Sequence, residues 1–183
     1  HLWPRNQEAD GSALKKQAAA ENYRHRATIL LRNKDGRILA TPKPAFTTMQ
    51  FPGGGIHEDE RFDMPTEAEI FAGARREARE ELGHDLVNLR YIGALRNAMD
   101  ARFRERQTLK RGIPIHGLHE HYVVAEPGAR DRRAYGAAGD KFGGRYMPLD
   151  DILWHMDKDS RGISEGAEHA AREAALLRKH FRP

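Results

Sequence analysis

The chain has 183 residues and a mass of 20.8 kDa, the size of one ordinary domain with enough core to fold without staples. It has no cysteine, which excludes a disulfide scaffold, cysteine-ligated zinc, iron–sulfur clusters and a thiol nucleophile, and no window approaches the ~18 apolar residues of a membrane-spanning helix. The formal charge of +4 and sequence pI near 9.5 permit an anionic partner, such as a nucleotide or nucleic acid, without requiring one.

Residues 1–22 are polar and Ala-rich and lack the apolar segment of a signal peptide. They read as a peripheral helix or lead-in to one domain over 23–183, with a cytoplasmic location as the default. Ala27-Thr28-Ile29-Leu30-Leu31 is a short apolar strand. Asn33-Lys34-Asp35-Gly36 is a hairpin turn, Arg37 to Thr41 its return strand, and Pro42 and Pro44 the end of that strand. Phe51-Pro52-Gly53-Gly54-Gly55 is a glycine-rich turn. Residues 66–82 predict a helix. Thr66 and Glu69 form a capping box, Phe71, Ala74, Ala78 and Leu82 make one apolar stripe, and Gly83 sits at the C′ position.

Strands follow at Asn88 to Leu95 and His119 to Ala125, the second closed by Pro127-Gly128. Between them lies a charged insert over 97–112. Residues 129–144 form a Gly- and Arg-rich loop before a short strand at Arg145 to Leu149. Asp150 is the expected cap of a helix over 151–157, and Glu165 to His180 an Ala-rich terminal helix. This order predicts an α/β (α+β) fold, a single mixed domain with helices flanking a sheet.

The most informative string is Arg76-Glu77-Ala78-Arg79-Glu80-Glu81-Leu82-Gly83. On a helix of about 100° per residue, Glu81 lies about 40° and Glu80 about −60° from Glu77, so the three carboxylates share one face. Their repulsion needs an offset. Two readings follow: a solvated acidic face with Arg75, Arg76 and Arg79 in intrahelical pairs, or a seat for a hard divalent cation, which prefers several oxygen ligands. The upstream glycines favour the second, because consecutive glycines let backbone approach a ligand closely.

The glycine turn and the carboxylate helix together resemble the Nudix box, G-x5-E-x7-R-E-U-x-E-E-x-G-U, where U is a bulky aliphatic. Gly54 is followed at the required distance by Glu60, and Arg76 to Gly83 match the second half. The chain departs from the pattern in three places. Fifteen residues rather than seven separate Glu60 from Arg76, an insertion of eight (Arg61 to Ala68); His84 follows the last glycine; and Ala78 stands for the first aliphatic. The likeness covers roughly residues 24–157.

The resemblance implies a Nudix-like mixed sheet sandwiched between helices. It implies a metal-dependent hydrolase that cleaves a diphosphate linkage in a nucleoside diphosphate derivative or nucleoside triphosphate. The alternative is a non-catalytic Nudix-fold module that binds a nucleotide or RNA. By position, Glu77, Glu80 and Glu81 would hold Mg²⁺ or Mn²⁺, with the Gly53 carbonyl as a further ligand. Arg76 would orient a carboxylate, and Glu60 would brace the loop. Glu80 or Glu81 would take the proton from water. Asp140, in the loop before the last strand, occupies the place of the base in some members and reads first as an ordinary loop aspartate. A small-molecule diphosphate is the implied partner. Nucleic acid and a homodimer are compatible with it, and no membrane contact is implied.

Outside the box, residues 102–111 carry five basic residues and one acid, and Arg102, Arg104 and Arg106 are candidates to attract a phosphorylated substrate. Phe103 and Tyr135 are candidates to stack a base. His119 and His121 share one strand face, which suits a metal or simply a wet sheet face, with His116 nearby.

Overall fold

Strand β1 (Tyr23–Leu31) explains most of the architecture, because its two faces serve two layers. Ala27, Ile29 and Leu31 point to one side and Leu30 to the other, the period-2 alternation of a strand with helices on both faces. The computed structural model describes residues 22–43, 47–57, 61–130, 142–161 and 165–182. The remaining elements are β2 (Ile38–Lys43), β3 (Thr47–Gln50), β4 (Gly53–Gly55), α1 (Glu67–Leu82), β5 (His84–Asn97), α2 (Ala101–Arg111), β6 (Gly117–Arg130), β7 (Arg145–Met147), α3 (Leu149–Ser160) and α4 (Glu165–Phe181).

Four strands form the main sheet in the order β4-β1-β6-β5. β1 and β6 are parallel and in register from Tyr23↔Gly117 to Leu31↔Ala125, while β4 and β5 pair antiparallel to their neighbours. A smaller antiparallel sheet runs β3-β2-β7. Helix α1 covers one face of the main sheet through Ile70, Ala74, Ala78 and Leu82, against Ala27, Ile29, Val123 and Ala125. The opposite core joins Leu30, Tyr122 and Val124 to Ile152 and Met156 of α3 and Leu177 of α4. The expected sheet between helices is therefore present as a mixed α+β fold. Among the described residues, no helix is long and apolar enough to cross a membrane.

Five local expectations need correction. The turn after β1 has the expected chemistry: the Asn33 side chain accepts from the amides of Asp35 (3.0 Å) and Arg37 (2.9 Å). Its return strand, however, leaves β1 after a single Arg32↔Ile38 bridge and joins the smaller sheet, because both edges of β1 are already taken by β4 and β6. Pro42 does not end β2. It pairs with Met49 of β3, and the register shifts between Pro42 and Lys43, an irregularity of the kind that accommodates proline in a strand.

The charged insert is a helix, α2, capped by Asp100, whose side chain accepts from Phe103 N at 2.8 Å, and closed by Gly112. Asp150 does not cap α3. Pro148 stands at that cap, and Asp150 lies in the first turn, paired with Arg182. Strands β5 and β6 also outrun their expected ends, and β6 continues through Pro127 because β1 has already stopped opposite Ala125.

Candidate active site

Helix α1 starts where local chemistry dictates. The Thr66 hydroxyl accepts from Glu69 N at 3.2 Å and the Glu69 carboxylate accepts from Thr66 N at 3.2 Å, so both halves of the capping box form. It stops at Gly83 (φ 66°), whose amide donates to the Arg79 carbonyl at 3.1 Å. The buried stripe is Ile70, Gly73, Ala74, Ala78 and Leu82, with Phe71 only partly covered. Glu77 and Glu81 flank this stripe, and Glu80 faces solvent.

The glycine turn is pressed between that helix and β1. Its strand, β4, places Gly53 opposite Thr28 and Gly54 opposite Ala27. Gly53 has φ +149°, and a Cβ there would overlap the Ala27 carbonyl. A Cβ on Gly54 would overlap the Glu77 carboxylate, so bare backbone lies against that group. The Gly53 amide donates to Glu81 Oε2 at 3.2 Å. Arg76 donates to the Gly55 carbonyl, with its guanidinium 3.6 Å from Glu77 Oε1. Burial, then the charges of Glu80 and Glu81, push the Glu77 carboxyl above the usual carboxylate range, against the pull of Arg76 and Arg26. The cradle thus carries negative charge that the protein does not fully compensate.

The structure brings Gly53, Gly54, Arg76, Glu77 and Glu81 together. Glu80 lies on the same helix but is exposed. Among the described residues, two groups have ligand atoms within 4.8 Å of one another, His25–His119–His121 and Glu120–His169–Glu173, and the helix glutamates are not one of these groups. Glu60, Asp140 and Tyr135 lie outside the described residues.

Beside the turn, a cavity of about 270 Å³ is walled by Arg26, Phe51, Asn97, Phe103, Arg106 and Glu120. The basic helix α2 therefore reaches it through Phe103 and Arg106, whereas Arg102 and Arg104 are not among its lining residues. Arg26 links cavity and turn, donating to the Phe51 carbonyl at 3.2 Å.

A second charged group, which lines the same cavity, escapes the sequence reading. Glu120 Oε2 lies 3.0 Å from His169 Nε2, which is 3.5 Å from Glu173 Oε2, and Tyr122 donates to Glu173 at 2.5 Å. Burial works against a charged His169, but hydrogen bonds to Glu120 and Glu173 outweigh it and hold the imidazole up at about 10. The one sequence signal is the i,i+4 spacing of His169 and Glu173 on α4. His119 and His121 do share a face, and His25 of β1 joins them. Burial first, then neighbouring histidines, lowers His119 to about 4 and His121 to about 3. His116 stands apart, accepting from Asn22 N at 3.1 Å.

The family model for the NUDIX domain matches residues 22–166. The chain belongs to this family. It is similar to an RNA pyrophosphohydrolase of Halorhodospira halophila, 31% identical over 114 residues that make up 62% of this chain and 59% of that protein. It is also similar to an RNA pyrophosphohydrolase of a Marinomonas species, 33% identical over 96 residues, 52% of this chain and 55% of that one. The chain spans a little over half the length of these curated relatives. Among solved structures, a NUDIX hydrolase from Nitrosomonas europaea aligns over 84% of this chain and 88% of its own, at 12% identity and a TM-score of 0.47. The eight residues inserted into the Nudix box both lengthen the loop and extend the helix: Arg61 to Pro65 lead into the cap, and Glu67 and Ala68 open α1.

Proposed function

We propose that the chain is a divalent-metal-dependent hydrolase of a diphosphate linkage in a nucleotide, either a nucleoside diphosphate derivative, a nucleoside triphosphate or a phosphorylated RNA 5′ end. The observation that carries this reading is the cradle of bare glycine backbone against the Glu77 carboxylate, in which Glu81 also ends. A partly buried carboxylate whose proton affinity is raised by burial and by two further carboxylates fits a Mg²⁺ or Mn²⁺ ion. Glu77, Glu80 and Glu81 would hold it, with the Gly53 carbonyl. When bound, such an ion neutralises phosphate oxygens and acidifies water.

The remaining work falls to this chain. Arg76 fixes the Gly55 carbonyl and the Glu77 carboxylate in one arrangement. Glu80 or Glu81 takes a proton from the attacking water as its oxygen bonds to phosphorus and the bridging P–O bond breaks. Phe51 and Phe103 offer the cavity beside the turn as a seat for the base. The RNA pyrophosphohydrolase relatives make a 5′-triphosphorylated oligonucleotide the first substrate to try.

The test incubates the protein with that oligonucleotide, nucleoside triphosphates and nucleoside diphosphate conjugates, with Mg²⁺ or with chelator, and measures released phosphate and pyrophosphate. Metal-dependent release is expected. Binding without release across the panel would replace the enzyme by a nucleotide- or RNA-binding module. A ligand of the native state alone also raises Tm, so Mg²⁺ or Mn²⁺ at about tenfold excess over Kd is expected to add about 3–6 °C. Melting curves that coincide with and without metal would remove the ion from α1.

A further inference from the structure

His25 and His119 are register partners in the parallel β1–β6 pair, and His121 is two residues further along β6, so all three rings lie on the face covered by α1. Their ring nitrogens come within 4.8 Å of one another, and no carboxylate belongs to the group. His25 Nε2 is 3.0 Å from the Phe62 carbonyl. A carbonyl only accepts, so Nε2 carries the proton and Nδ1 presents a lone pair. That lone pair faces His121 Nε2 at 2.9 Å, and the far nitrogen of His121 is 3.3 Å from the Tyr91 hydroxyl. Outward nitrogens held by a carbonyl and a hydroxyl, with inward nitrogens converging, is how metal-ligating imidazoles are oriented.

We propose that His25, His119 and His121 form a binding site for a Zn²⁺-type transition-metal ion, separate from the carboxylate cradle, which fastens the inserted segment to the sheet. Three imidazoles suit zinc and its neighbours and disfavour Mg²⁺. Zn–N bonds of about 2.0–2.1 Å in a tetrahedron place nitrogens about 3.3 Å apart, so the His25–His121 pair opens by only about 0.4 Å to take the ion. In the metal-free protein His121 Nε2–H donates to His25, and its Nδ1 accepts from Tyr91. On binding, that proton moves to Nδ1, which then donates to the Tyr91 oxygen, so both imidazoles stay neutral. His25 and His121 are buried, and half-buried His119 supplies the route from solvent. His57 holds the same segment from beside the site: its Nε2 is 3.1 Å from the Asp63 carbonyl, and its ring centroid is 5.8 Å from that of His25. The ion would thus give the inserted Phe62 and Asp63 a fixed mooring.

The experiment uses the full chain stripped with chelator and titrated with Co²⁺, whose visible d–d bands report coordination. One equivalent, displaced by Zn²⁺, is expected. His119→Ala should weaken binding at least about 10-fold, and His119→Phe, which keeps a ring between its neighbours, should do the same. Circular dichroism establishes that each variant is folded. The double variant Glu80→Gln/Glu81→Gln should keep the Co²⁺ spectrum. Zn²⁺ should also slow amide exchange in residues 61–66. A wild-type protein with no stoichiometric Co²⁺ spectrum at millimolar ion overturns the site. So does a spectrum that survives both His119 variants, and so does one lost from the glutamate double variant, which would put the ion on α1.

Discussion

Glu77 and Glu120 are both largely withdrawn from solvent, both feel Arg26, and sit in cores on opposite faces of the main sheet. Their surroundings differ. Glu77 meets two further carboxylates and bare glycine backbone, and its carboxyl is pushed up by burial and like charge. Glu120 is also penalised by burial, but His169, Arg26 and the Thr28 hydroxyl outweigh that and pull its carboxyl down. Burial alone therefore does not decide which way a carboxyl is shifted. The distinction lies in whether the chain supplies the counter-charge. On the α4 side it does. On the α1 side Arg76 and Arg26 only partly offset burial and the charges of Glu80 and Glu81.

The largest effect should come from unbalancing the α4 side. His169→Leu strands Glu120 and Glu173, and breaking one partner of a buried charged group costs about 3–5 kcal/mol. Urea unfolding should register that loss, whereas Glu77→Gln in metal-free protein should hold or raise the urea midpoint because it removes repulsion. If the two variants behave alike, the contrast fails.

Next in size is turnover. Glu80→Gln and Glu81→Gln should each reduce kcat by about 100-fold or more, the scale of a lost general base, with the urea midpoint unchanged. Wild-type rates in both at saturating Mg²⁺ would remove these residues from the reaction.

The pH dependence sharpens the same comparison. His169 is held at about 10 in the fold against an ordinary 6.5, so its stabilisation is complete below pH 6.5 and is lost as pH climbs towards 10. Tm should fall by several degrees from pH 7 to 10, and His169→Leu should flatten that slope. An equal slope in the variant would assign the loss to other groups.

The smallest effect belongs to α2. Arg102→Ala/Arg104→Ala/Arg106→Ala should raise KM a few-fold and largely keep kcat, as expected for lost uniform binding. The change should shrink with salt, because exposed charges are screened over about 8–10 Å. An unchanged KM at low ionic strength would leave α2 without a substrate role.

What sequence reasoning recovers here is chemistry carried by short stretches. The Thr66–Glu69 box, the Gly83 cap, the Ala74–Ala78–Leu82 stripe and the turn at Asn33 all depend on neighbours within a few residues, and all appear as expected. Partner choice does not follow from such stretches. β2 looks like the mate of β1 until β6, joined through the Thr28↔Tyr122 register, takes that edge. The Glu120–His169 pair and the three-histidine group exist only because that register sets β1 beside β6 and α4 across it. Helix α2 is hidden for a different reason. Its caps, Asp100 and Gly112, were local and readable, but an 11-residue helix with no buried residue shows no apolar stripe to announce it.

The β1–β6 pairing also sets a timetable. Residues 23–31 find their parallel partner only at 117–125, so the middle of the main sheet must wait while the intervening chain is made, roughly 5–20 s at ~5–20 residues/s. Until then α1, however well capped, has only part of its floor, since Val123 and Ala125 complete the surface beneath Ala74 and Ala78. The acidic helix should therefore emerge early and dock late. In the interval its apolar stripe is open to chaperones and proteases, and shortened chains that stop before residue 117 should be degraded rather than folded.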